Sequence, residues 1–138
     1  MSYEDGCWKT LAETDQLVLK ACYEDAVLLQ RPFEKVLWEG SYYGDPNCWL
    51  IEKDSKWAII GGEYLGIWTV NDTCDFKQSE VAWSVDIRQA GPWKAEFLID
   101  PHSEHAAIWE IDLQTFKLQK LRPFPDYKGT EVVEGFEW

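Results

Sequence analysis

Hydrophobic and polar residues alternate most clearly in the second half of the chain. Val81, Trp83, Val85 and Ile87 fall on one face, with Ser84, Asp86 and Arg88 on the other, and Trp93, Ala95, Phe97 and Ile99 alternate with Lys94, Glu96 and Asp100 in the same way. A period of two is the mark of a half-buried strand. Ala107, Trp109, Ile111 and Leu113 repeat it, and Phe116 to Leu121 follows after a turn at Gln114-Thr115. Nearer the middle, Cys48–Lys53, Trp57–Ile60 and Tyr64–Val70 read as three short strands joined by Asp54-Ser55 and Gly61-Gly62, both good turn pairs. Val36 and Trp38 mark a further strand before the loop GSYYGDPN, Gly40 to Asn47, while NDTCDFKQS, Asn71 to Ser79, reads as another loop.

The segment Asp15 to Gln30 behaves differently. Leu17, Val18, Ala21, Cys22, Ala26, Leu28 and Leu29 gather on one arc at 100° per residue, Asp15 can cap the start and Pro32 follows the end, so an amphipathic helix is predicted. Asp25 interrupts that arc. A strand from Gln16 to Tyr23 is the competing reading, because the run is rich in Leu and Val. The expected fold is therefore mainly β (α+β): an antiparallel meander of about seven or eight strands, as a strongly bent sheet or partial barrel, with one N-terminal helix packed on it. Residues 1–138 form one domain on this reading, divided into a helical segment 1–32, a meander 33–122 and an acidic, aromatic tail 123–138. The fragment IWEIDLQTFKL has the look of a β-propeller hairpin, but propellers need at least about four blades of some forty residues each, and 138 residues are too few, so a propeller is not expected.

Composition adds an aromatic load of nine Trp, six Tyr and six Phe and a net charge of -12. The acidity is not confined to a tail: residues 1–69 hold 12 acidic and 6 basic groups, and 70–138 hold 13 and 7. Such a surface repels phosphate backbones and anionic membranes and attracts basic proteins. Cys7, Cys22, Cys48 and Cys74 form no CxxC pair. The N-terminus MSYEDGCW has neither a basic nor an apolar leader region, so a cytoplasmic protein with reduced thiols is expected.

Candidate chemistry is sparse. His102 and His105 lie with Asp100 and Glu104 in DPHSEH, a spacing that could ligate a transition metal if the loop closed around it. No nucleophile elbow, Walker motif or dinucleotide fingerprint can be written, so neither a catalytic residue nor a cofactor is assigned. Surface recognition remains: Tyr42, Tyr43 and Asp45 in the first loop, Asp72 and Asp75 in the second, and Glu134, Phe136, Glu137 and Trp138 at the C-terminus combine rigid rings with negative charge. In size, acidity and lack of catalytic motif the chain resembles bacterial immunity proteins. That resemblance implies an inhibitor that occupies a basic partner, such as a toxin or nuclease. The alternative is a barrel-like protein whose tryptophans line a small-ligand pocket.

Overall fold

The structure, a computed structural model, describes residues 3, 6–124 and 138. Among the described residues twelve strands are present: β1 (Lys9–Glu13), β2 (Leu17–Cys22), β3 (Asp25–Gln30), β4 (Lys35–Ser41), β5 (Cys48–Ile51), β6 (Trp57–Gly61), β7 (Leu65–Thr69), β8 (Thr73–Phe76), β9 (Ser84–Gly91), β10 (Lys94–Ile99), β11 (Ala107–Asp112) and β12 (Lys117–Pro123). They form three four-stranded antiparallel sheets, each a meander in chain order: sheet I is β1 to β4, sheet II β5 to β8, and sheet III β9 to β12. β5 lies beside both β1 and β9, so the first strands of the sheets are neighbours, while β4 to β8 to β12 are outer edges. Among the described residues neither a continuous bent sheet nor a closed barrel is formed.

The expected N-terminal helix is a β-hairpin. Leu17 pairs with Gln30 and Cys22 with Asp25 around the turn Tyr23-Glu24, where Tyr23 takes a positive φ of 54°. The cause is burial on both faces of the hairpin. Leu17, Leu19, Ala26 and Leu28 face sheet II, while Val18, Val27 and Leu29 on the opposite face are covered by Tyr3 and Trp8. A strand buried on both sides loses the apolar-polar alternation that would identify it. Asp25 starts β3, exposed, where it accepts a hydrogen bond from the Ser41 hydroxyl at 2.6 Å. Two short, polar strands also escape the pattern: β1, and β8 within the expected loop Asn71 to Ser79. Around Trp83 the expected alternation fails as well. Val81 ends a 3-10 turn, Trp83 has φ 62° and is exposed, and Ser84 is buried.

Two aromatic interfaces hold the sheets together. Between I and II, Trp38, Tyr42 and Tyr64 pack with Leu19, Leu28 and Ile60. The Tyr42 and Tyr64 rings stack at 4.2 Å, and Trp38 Nε1 donates to Asp75 Oδ1 at 3.0 Å. This approach requires glycine at 66, since a Cβ there would run into the Trp38 ring. Between II and III, Trp57, Ile59 and Ile67 meet Ala95, Phe97 and Ile111, and Trp57 Nε1 donates to the Pro92 carbonyl at 2.8 Å. Among the described residues these large rings pack in the interfaces between the sheets, and no closed barrel surrounds them.

The chain ends cover the two remaining sheet faces. A disulfide joins Cys7 to Cys22 and Lys20 Nζ donates to the Tyr3 carbonyl, holding Tyr3 and Trp8 against sheet I. The expectation of reduced thiols therefore holds only for Cys48 and Cys74. On sheet III, Phe124 and Trp138 pack with Leu98 and Ile108. Trp138 Nε1 donates to Asp86, and the Arg88 guanidinium lies over its ring at 4.0 Å. Among the described residues no helix is long and apolar enough to cross a membrane.

Burial pushes the Tyr42 hydroxyl well above its usual range, with Tyr64 adding to the shift, and pushes Tyr64 up to about 12, reinforced by Asp75. A phenol whose folded pKa exceeds its unfolded value of about 10 favours the native state below pH 10 and loses that contribution as pH rises through the folded value. Stability to urea should thus decline from about pH 10 upward, with tyrosinate absorbance appearing together with unfolding. Burial also raises Cys48, to about 12, and so acts in the same sense. Burial raises the Cys74 thiol as well, so a variant carrying both Cys48→Ala and Cys74→Ala isolates the tyrosines, and a flat urea midpoint in that variant across this range would contradict the assignment.

Candidate acidic and aromatic rim

The turn Tyr23-Glu24 and the connections 42–47, 62–64 and 77–83 gather at one end of the sheets, termed the upper end. Hydrogen bonds tie them together. Asn47 N–H donates to the Gly61 carbonyl, its side chain to the Ser84 carbonyl, and Trp83 N–H to the Gly62 carbonyl. At the opposite, lower end the hydroxyls of Thr14 and Ser55 are in contact, and Lys56 lies over the Trp93 ring.

Within the upper end, two carboxylates fix one turn. Glu63 Oε1 accepts from Tyr43 N–H at 2.7 Å, and Glu24 Oε2 accepts from Gly44 N–H at 2.5 Å. The Glu24 carbonyl also accepts from Tyr42 N–H. Hydrogen bonds to a carboxylate are stronger than neutral ones. Gly44 permits the bend with φ 84°. The result is a rigid presentation of Tyr43, 74% exposed, near Tyr23, 76% exposed, with Asp45 alongside. Tyr23 and Asp45 border a hollow of about 340 Å³ between β1 and β5, whose other walls include Leu11, Pro46 and Trp49, with Lys9 the one cation.

The expected recognition residues do not form a single patch. Tyr43 and Asp45 lie on this rim. Tyr42, the adjacent ring, is buried and donates to the Ile60 carbonyl, so its role is in the core. Asp72 lies in the lower turn between β7 and β8, where it accepts from Thr73 N–H. Asp75 is on β8, bonded to Trp38. Trp138 is on the covered face of sheet III, while Glu134, Phe136 and Glu137 lie outside the described residues. Tyr23, Glu24 and Glu63 were missed. Their part depends on turns some twenty residues apart meeting in space, and the competing strand reading of Gln16 to Tyr23 was the only local signal.

His102 and His105 lie in the connection from β10 to β11, an arrangement fixed by Ser103, which donates to the Asp100 carbonyl and accepts from His105 N–H. Among the described residues no group of three or more His, Cys, Asp or Glu is placed to hold a metal ion. Cys48 is buried against Ser84, and burial raises its thiol above the usual range, which disfavours the reactive thiolate.

No protein-family model and no curated protein matches the chain. Solved structures do resemble it in fold. A hydrazine synthase from Kuenenia stuttgartiensis superimposes with a TM-score of 0.51 at 13% identity, covering 82% of this chain and 37% of that one. The WD40 β-propeller domain of Doa1 gives 0.53 at 7% identity, covering 80% and 38%. The chain spans well under half the length of either. Three successive four-stranded meanders with their first strands side by side are thus similar to consecutive blades of a propeller.

Proposed function

We propose that the chain is a non-enzymatic recognition module whose acidic upper rim engages a basic surface of a partner protein. The observation that carries this reading is the turn clamped by Glu24 and Glu63, which holds Tyr43 outward beside Asp45. Neither residue's side chain has a role in the core. An exposed ring on a fixed turn, beside Asp45 at the border of the hollow, is the kind of group that anchors an interface, and a net charge of -12 speeds encounter with a cation-rich surface. The finer form of the proposal is an immunity-type inhibitor, in which the rim covers the basic cleft of a toxin or nuclease. Size, acidity and the lack of a catalytic motif support it.

Retention of proteins from the source cell on the immobilised chain tests this reading, at low and high salt. A basic protein held only at low salt is expected. Tyr43→Ala should weaken its binding by about 30-fold, the effect of an interface anchor worth about 2 kcal/mol, without lowering thermal stability. Asp45→Lys should slow association and reduce the salt dependence. If no basic protein is retained at low salt, or if the Tyr43→Ala variant binds as the parent does, the proposal fails.

A further inference from the structure

A second surface of different construction lies between sheets I and II. The outer strands β4 and β8 face each other across a groove of about 370 Å³, lined by residues 36–39 of the first and 73–75 of the second. Among the described residues each strand pairs on one side only, β4 with β3 and β8 with β7, so each presents main-chain donors and acceptors along its other edge, apart from Thr73 N–H, which Asp72 Oδ1 accepts. An open edge is a template for another strand unless it is blunted. β4 is blunted by a register shift between Leu28 and Leu29 of its partner strand. β8, though only four residues long, has no such shift and pairs with β7 in unbroken register from Leu65↔Phe76 to Trp68↔Thr73.

Side chains around the groove define what would fit it. Glu39, Asp72 and Asp75 are exposed, against Lys35 as the one nearby cation on β4. Asp75 uses Oδ1 to accept from Trp38 and remains exposed. Val36 in the groove wall is 41% exposed, and toward the lower end Phe33 and Val70 are bared as well. Bared apolar side chains with carboxylates and an open strand edge match one kind of occupant.

We propose that the groove takes an extended basic segment of a partner as an added strand on β8. Its main chain pairs with the outer edge of β8, its Lys or Arg side chains meet Glu39, Asp72 and Asp75, and its alternate apolar side chains cover Val36. This is the strand-addition mode of peptide recognition, in which main-chain bonds supply affinity and alternate side chains supply selectivity. It shares with the rim only the sign of the charge and occupies other residues.

Cys74, in the groove wall and partly exposed, reports occupancy directly. Cys48 is buried and Cys7 is bonded to Cys22, so alkylation of the native protein is directed to Cys74. Burial and the neighbouring Asp75 raise the Cys74 thiol, so the reaction is run at mildly alkaline pH. The probe is an end-blocked peptide of alternating Lys and Val. At about ten times its Kd, alkylation of Cys74 should slow by about tenfold. Of two versions N-methylated on alternate amides, the one that loses the donors facing β8 should fail to protect. Glu39→Lys should weaken protection several-fold, while Tyr43→Ala on the rim should leave it unchanged. An unaltered alkylation rate, equal protection by both N-methylated versions, or equal protection by a Glu-Val peptide would each overturn the proposal. None of these outcomes bears on the rim.

Discussion

Trp57→Ala is expected to destabilise the protein by about 3–5 kcal/mol, the range for removing a fully buried aromatic side chain. Trp57 opens β6 and is fully buried in the interface of sheets II and III. Its loss leaves a cavity among Ile59, Phe97 and their neighbours, and leaves the Pro92 carbonyl without the indole N–H that it accepts at 2.8 Å. A single domain is stable by about 5–15 kcal/mol in total, so the variant should sit near or below the threshold of folding. Trp57→Phe separates the two contributions. It keeps most of the packing and forfeits the hydrogen bond, a loss of about 1 kcal/mol, since Pro92 is exposed and water can replace the indole as donor. Urea unfolding followed by near-ultraviolet circular dichroism measures both. A loss below about 1 kcal/mol for Trp57→Ala, typical of surface positions, would mean that the two sheets do not share this core.

Opening the Cys7–Cys22 disulfide should cost about 3 kcal/mol, because it closes a segment with a sequence separation of 15 and restricts the unfolded chain accordingly. The effect has a local component too. Without the bond, Tyr3 and Trp8 are held over Val18, Val27 and Leu29 by little more than packing and the Lys20 contact. Cys7→Ser and Cys22→Ser should lower the urea midpoint to a similar degree. A reductant should destabilise the parent protein to the same level and leave the double variant unaffected. Equal midpoints with and without reductant in the parent protein would show that the pairing contributes nothing.

Strands buried on one face were legible in the sequence, because the alternation of Trp93, Ala95, Phe97 and Ile99 survives when the other face stays polar. The pairing of β10 with β11 follows that pattern, whereas β6 and β7, buried on both faces, were marked by the Gly61-Gly62 turn between them. The 17–30 hairpin was not legible for the opposite reason: covered on both sides, it carries apolar residues on both, and its arc imitates a helix. Strands β1 and β8 are short and largely polar, held in place by their partner strands and not by their own pattern. The bonded pair Cys7 and Cys22 became adjacent only once the supposed helix was a strand. For the rim, Tyr43 and Asp45 could be picked out of a Gly-rich, aromatic loop. Nothing local distinguishes Tyr42 from Tyr43, since the difference is set by the stack on Tyr64 and the bond to Ile60, contacts about twenty residues away. Tyr23, Glu24 and Glu63 belong to other turns, and only the tertiary pairing brings them to the same rim.

The side-by-side order of the sheets gives them unequal standing. Sheet II shares an aromatic interface with each neighbour, whereas sheets I and III share one each and are covered elsewhere by chain ends. In a linear array stability is close to a sum of unit and nearest-neighbour terms. The outer units can therefore open one at a time, while the middle one opens only after losing a neighbour or together with both. Local opening free energies should rise from the two ends toward residues 48–76 and be greatest there. The stretch richest in adjacent tryptophan-bearing strands would then serve as the keystone on which both flanking units fold.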